Sequence, residues 1–133
     1  MSEARFRDSI AWKKAMELTR AVYELTSEFP RQEMFGLTNQ LRRASVSIAS
    51  NLAEGQGRLT VREFLHFLGL ARGSALEVLT QLEIASMIGL GNPAQVQSAQ
   101  GIAEEARRII NAAIVTTRAK MRSDQLHNGA PNS

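Results

Sequence analysis

The chain has 133 residues, 44% apolar and 22% charged, enough for one soluble domain with a real core and too few for two. Lys and Arg number 16 against 13 Asp and Glu, so the net charge is +3, which permits contact with nucleic acid without demanding it. The absence of cysteine excludes disulfides, thiolate catalysis and thiolate metal sites, and His66 and His127 are too few for a histidine-rich metal centre.

The opening MSEARFRDSIAW lacks the apolar core of a signal peptide, and no run approaches transmembrane length. A cytoplasmic protein without membrane contact is the expectation. The first helix is predicted from Asp8 to Phe29. Trp12, Ala15, Met16, Thr19, Val22, Tyr23 and Thr26 recur at three- and four-residue steps on one face, which Leu18, Ala21, Leu25 and Phe29 widen. Lys13, Glu17, Arg20 and Glu24 alternate in sign on the opposite ridge. Pro30 ends the segment, because the residue before proline avoids helical angles.

A second helix is predicted over Glu33–Glu54, with Leu37, Leu41, Ala44, Ile48 and Leu52 as its core line. A polar line, Gln40, Ser47, Asn51 and Glu54, runs beside it. A further line, Arg42, Val46, Ala49 and Ala53, is mostly small and apolar where water is expected, which points to contacts outside the bundle. The third helix starts after Leu59, with Thr60 as N-cap and Glu63 completing a capping box. Phe64, Phe67, Leu68, Ala71, Ala75, Val78, Leu82 and Ala85 form its core stripe. Leu65, Gly69, Arg72, Leu76 and Leu79 form a second stripe. Gly69 and Gly73 each cost roughly 1 kcal/mol relative to alanine in a helix. Either another backbone packs closely there, or the helix tolerates them.

Gly89, Gly91, Asn92 and Pro93 mark a turn. The fourth helix is predicted over Ala94–Met121, with Ile102, Ala106, Ile109, Ala113 and Thr116 inward and Glu104, Arg107, Arg108, Asn111 and Arg118 outward. Four helices with short corners read as an all-α, up-down-up-down four-helix bundle over residues 1–122. Residues 123–133, SDQLHNGAPNS, are expected to be a disordered polar tail.

The stretch SNLAEGQGR, Ser50 to Arg58, raises the question of a phosphate loop. No strand precedes it and no Gly-Lys-Ser/Thr closes its spacing. The commoner use of such glycines is a left-handed helix C-cap, with Arg58 placed well for the helix dipole. Asn51 and Glu54 flank the core line, so a polar clamp of Asn51, Glu54 and Arg72 is expected, with Arg58 as another partner for the carboxylate. A lone glutamate is a weak catalytic site. Glu54 and Glu77 as a carboxylate pair lack the Glu-x-x-His motifs of di-iron bundles. No enzyme activity, cofactor or metal is expected. Trp12, Tyr23 and the phenylalanines lie mostly at core spacing, which does not support a base-stacking platform. The arginines carry the remaining signal: Arg42, Arg43, Arg58, Arg62, Arg107 and Arg108 form a nucleic-acid surface if they converge. Each alone is more often solvated or ion-paired.

With these residues in view, the chain resembles a known family, the bacterial four-helix-bundle proteins of the 23S ribosomal RNA intervening-sequence type. The resemblance runs through FRDSIAWKKAMELTRAVYELTSEFP, GLTNQLRRASVSIASNLAEGQGR and EFLHFLGLARGSALEVLTQLEIA, about the first two-thirds of the chain. SIASNLAEGQGR followed by ARGSALE is its specific part. One departure is Ala49, where many relatives carry proline. The resemblance implies a ring-like homo-oligomer, a pentamer, without enzymatic activity or cofactor. Relatives include the accessory protein of diversity-generating retroelements, a basic pentameric barrel that engages a reverse transcriptase and nucleic acid. The expected interface is the second stripes, through Val46, Leu65, Gly69, Leu76 and Leu79. The expected function is a non-enzymatic oligomeric module that binds RNA or DNA through its arginines. The alternative is a protein–protein adaptor whose arginines are tied up in ion pairs with Glu54, Glu63, Glu77 and Glu104.

Overall fold

The structure, a computed structural model, describes residues 3–129, with side-chain surroundings from Phe6 to His127. A 3₁₀ turn, Glu3–Asp8, leads into helix α1, Ile10–Thr26. Ser9 caps α1 by accepting from the Trp12 amide at 3.2 Å. Ala11, Ala15, Leu18, Val22 and Leu25 are buried at alternating steps of four and three. The expected inward positions Met16 and Tyr23 are exposed instead. The larger aliphatic set Leu18, Val22 and Leu25 takes the core. Tyr23 turns its ring outward, under the Arg42 guanidinium at 4.7 Å.

The path into the second helix is less regular than its spacing predicts. A 3₁₀ turn at Arg31–Glu33 and a π-helical turn at Met34–Thr38 precede α2, Asn39–Gln56. The backbone leaves helical angles at Gly36, where φ is −110° and ψ is −117°. From there Leu41, Ala44, Ile48 and Leu52 are buried as expected, joined by Ser45, Ala49 and Gly55. The small line at Ala49 and Ala53 has its cover within the chain. The N-terminal 3₁₀ turn packs on α2, and its Phe6 stands with Ser50 and Ala53 around one shallow depression. Phe6 is anchored edge-on to Trp12, ring centres 5.4 Å apart.

Helix α3, Val61–Ile88, begins at the expected cap: the Thr60 hydroxyl accepts from the Glu63 amide at 3.1 Å and donates to the Glu63 carboxylate at 2.9 Å. Its stripe from Leu68 through Ala71, Ala75, Val78, Leu82 and Ala85 is buried, with Phe64 packed partly against it. Gly89 and Gly91 then turn the chain at φ 74° and 75°, a region open to glycine. The Asn92 carboxamide accepts from the amides of Ala94 and Gln95 at 2.9 and 3.2 Å, which starts α4, Pro93–Gly129.

Helix α4 departs from expectation in two ways. Its core line is Val96, Ala99, Ala103, Ala106, Ile110 and Ile114. Ile102, Ile109 and Ala113 flank that line and Thr116 is exposed. The alanines are small enough to let the first half of α4 approach closely, which leaves Ile102 and Ile109 at the flanks while Ile110 and Ile114 continue the core. The stretch from Ser123, expected to be disordered, is helical through Gly129. Nothing between Met121 and Gly129 breaks a helix, and residues 130–133 lie outside the described part.

Each helix packs against its chain neighbour, and α1 against α4 closes the square. With short corners this is an antiparallel four-helix bundle. A polar seam runs between α2 and α3. Ser47 and Ser74 share a 2.9 Å hydroxyl hydrogen bond, and Asn51 donates to the Ser47 carbonyl and hydroxyl at 2.9 and 3.0 Å. Among the described residues no helix is long and apolar enough to cross a membrane, and no group of His, Asp or Glu could hold a metal ion.

Candidate interaction surface

The corner SNLAEGQGR uses its glycines differently from the expectation. Gly55 is helical and buried, and Gly57 has φ −86°, so neither supplies a left-handed cap. A Cβ at Gly55 would stand 3.0 Å from the Cβ of Phe67 and 3.3 Å from the Phe64 ring. The glycine is there to let α3 cross the end of α2. The corner is a packing device.

The expected clamp of Asn51, Glu54 and Arg72 does not assemble. Asn51 belongs to the serine seam. Glu54 is more than half exposed and pairs with Arg58 at 2.5 Å, one turn away. Arg72 reaches across to α4 and donates to the Asn111 carboxamide at 3.2 Å. The polar line of α2 was legible in the sequence. Which neighbour each residue would meet depended on the rotation of α3 and α4.

The six candidate arginines fall into two sets. Arg42, Arg58 and Arg107 are engaged. Arg42 lies between α1 and α2, donating to the Thr26 hydroxyl at 2.9 Å. Arg58 holds Glu54 and stacks over the Phe67 ring at 4.6 Å. Arg107 pairs with Glu104, and that hydrogen bond holds the Glu104 carboxyl below its ordinary value and raises the Arg107 guanidinium. Arg43, Arg62 and Arg108 are exposed and make no ion pair among the described residues. They stand on three different helices. Arg43 borders a depression over the α2–α3 seam beside Glu77. The set does not gather on one patch of a single chain.

What does gather is apolar. The outer face of α3 carries Leu70, Leu76, Ile84, Met87 and Ile88, with Leu76 48% and Met87 76% exposed. Gly69 and Gly73 lie on the same face, and a Cβ at either would meet nothing within 4 Å. The backbone there is bare and uncovered by its own chain. Beside it, Leu79, Thr80, Glu83, Ile84, Met87, Gln100 and Glu104 line an open groove of about 600 Å³ between α3 and α4. Glu83 accepts from the Gln100 carboxamide at 3.2 Å across it.

Of the five expected interface residues, Gly69 and Leu76 stand on this face. Leu65 and Leu79 pack partly against the chain's own core, and Val46 is exposed on α2. Ile84, Met87 and Ile88 escaped the sequence reading. Ile84 and Ile88 follow Leu76 at four-residue steps through Thr80, and Met87 lies eight residues past Leu79; that spacing was the available signal. Phe35, 95% exposed at the α1–α2 corner, was also missed.

Residues 7–112 match the sequence model of the 23S rRNA-intervening sequence protein family. Among solved structures, the chain is similar to a protein of unknown function from the S23 ribosomal protein family of Bacteroides thetaiotaomicron. The two share 20% identity and a TM-score of 0.71, over 79% of this chain and 98% of the other. That likeness is one of fold. Among curated proteins, none matches the sequence. With most of its length, from the first helix into the fourth, covered by that family's pattern, the chain belongs to the 23S rRNA-intervening sequence protein family.

Proposed function

We propose that this chain is a non-enzymatic binding module that works as a homo-oligomer, joined through the outer face of α3 and the adjoining α3–α4 groove. One observation carries the reading: exposed Leu76, Ile84 and Met87 on the outer side of α3, around Thr80, with backbone at Gly69 and Gly73 that no described residue covers. Large aliphatic side chains exposed together on one side of a helix belong at protein contacts. The glycines let a second backbone approach where any other residue would hold it away. Leu76→Asp tests this. Light scattering should show loss of the assembled species with helical content unchanged, because Leu76 is half exposed within one chain. Unchanged mass would remove the interface.

The paired arginines support protein contact as the first activity, since Arg58 and Arg107 already have carboxylate partners. A second reading, binding of RNA or DNA, draws on Arg43, Arg62 and Arg108, which make no ion pair among the described residues. In an oligomer these would repeat around the assembly and offer several phosphate contacts. Fluorescence anisotropy with a labelled structured RNA separates the readings. Phosphate contacts would make affinity fall about a hundredfold or more over a fourfold rise in salt. Absence of binding at low salt would leave the protein-contact reading alone.

A further inference from the structure

We propose that the Phe35 side chain of one copy seats in the α3–α4 groove of the next. The proposal rests on the oligomer reading and specifies its contact. Phe35 is 95% exposed on a turn that packs against α2, and Met34 beside it is also exposed. A phenyl ring held almost wholly in water is a costly surface residue, and nothing within its own chain covers it. The groove is its complement: apolar at Leu79, Ile84 and Met87, with room for an aromatic ring in its 600 Å³.

The positions of knob and groove agree. The helices form a square in chain order, so the α1–α2 edge that carries Phe35 lies opposite the α3–α4 edge that carries the groove. Both also lie toward the same end of the bundle. Gln40, near the start of α2, is hydrogen-bonded at 3.5 Å to Gln81, in the last third of α3. The α1–α2 corner that carries Phe35 and the α3–α4 turn just past Met87 meet there, with Gly91 against Phe29. Each copy then donates a knob on one side and receives one on the other, with all bundles side by side and pointing the same way. Such a heterologous contact closes into a ring when its rotation permits.

Charge fits the same seating. Arg31 is exposed on the knob's corner, while Glu83 in the groove is held by the neutral Gln100 and makes no ion pair among the described residues. Glu33 beside the knob is turned inward onto the Leu37 amide at 3.4 Å. Glu28 lies apart, against the Gly89–Asn92 turn.

The chain has no cysteine, so cross-linking reads the contact directly. Phe35→Cys protein mixed with Met87→Cys protein should form a disulfide between positions 35 and 87 of different copies. The double variant should give a ladder of covalent multimers. Phe35→Ser should lose the assembly and scatter as a 14.6 kDa chain with unchanged circular dichroism. An assembled wild type with full mass retained in Phe35→Ser and no 35–87 bond would overturn the knob while leaving the oligomer standing. A wild type that scatters as a single chain at all concentrations would overturn both.

Discussion

Gly55 and Phe67 meet where α2 ends and α3 passes over it: a Cβ on the glycine would lie 3.0 Å from the Cβ of the phenylalanine. Gly73, two turns further along α3, would carry its Cβ into open space. The same residue type serves two purposes, and substitution should separate them. Gly73→Ala is expected to stabilise the single chain by about 1 kcal/mol through helix propensity alone. Gly55→Val is expected to cost about 1–3 kcal/mol through overpacking. Thermal denaturation at low protein concentration, where assembly does not contribute, would check both signs.

The turn into α4 offers a second matched pair. Gly89 and Gly91 both hold positive φ, but a Cβ at Gly91 would stand 2.7 Å from the Phe29 ring and 2.8 Å from Leu25, whereas Gly89 has nothing within 4 Å. Gly89→Ala should cost about 1 kcal/mol for the left-handed backbone alone. Gly91→Ala should cost about 2 kcal/mol or more, since a clash is added. Equal costs in urea denaturation would mean that Phe29 yields without penalty.

At Glu54 the expected effect is small. Its pair with Arg58 is an exposed one-turn contact, so Glu54→Ala should lower stability by about 0.5 kcal/mol or less. Arg72→Ala should cost more, about 1 kcal/mol, because it removes the half-buried hydrogen bond to Asn111 on α4. A larger loss at Glu54 than at Arg72, measured by denaturant midpoint at constant slope, would restore Glu54 as a clamp.

A pH dependence follows from Lys14, which bridges α1 to α4 by pairing with Glu105 at 2.5 Å and with Glu17 at 2.9 Å. The hydrogen bond to Lys14 holds the Glu105 carboxyl below its ordinary 4.5. A carboxyl lowered on folding stabilises above its unfolded value, and that contribution fades as pH falls through the folded value. The hydrogen bonds to Glu105 and Glu17 raise Lys14 above its ordinary 10.5, so its share is lost only as pH rises past the folded value. A double-mutant cycle with Lys14→Met and Glu105→Gln should show a modest coupling at neutral pH that disappears in acid. Coupling that persists in acid would place the interaction in packing and not in charge.

The sequence by itself determined four helices, their capping at Thr60, the turn at Gly89–Pro93 and the core lines of α2 and α3. These follow from helical periodicity and local backbone preference, which neighbouring residues carry between them. Tertiary structure decided the rest. Met16 and Tyr23 were displaced from the core of α1, and Ala99, Ala103, Ile110 and Ile114 took the core line of α4 where Ile102 and Ile109 were expected, because helix rotation is set by how two surfaces interlock. Asn51 and Glu54 on α2 and Arg72 on α3 read as one clamp but found three different partners, since a side chain bonds with whatever the folded neighbours present. Gly55 and Gly73 read alike in the chain. Only the fold placed Phe67 against one and left the other bare, because steric fit belongs to the pair of helices and not to either alone.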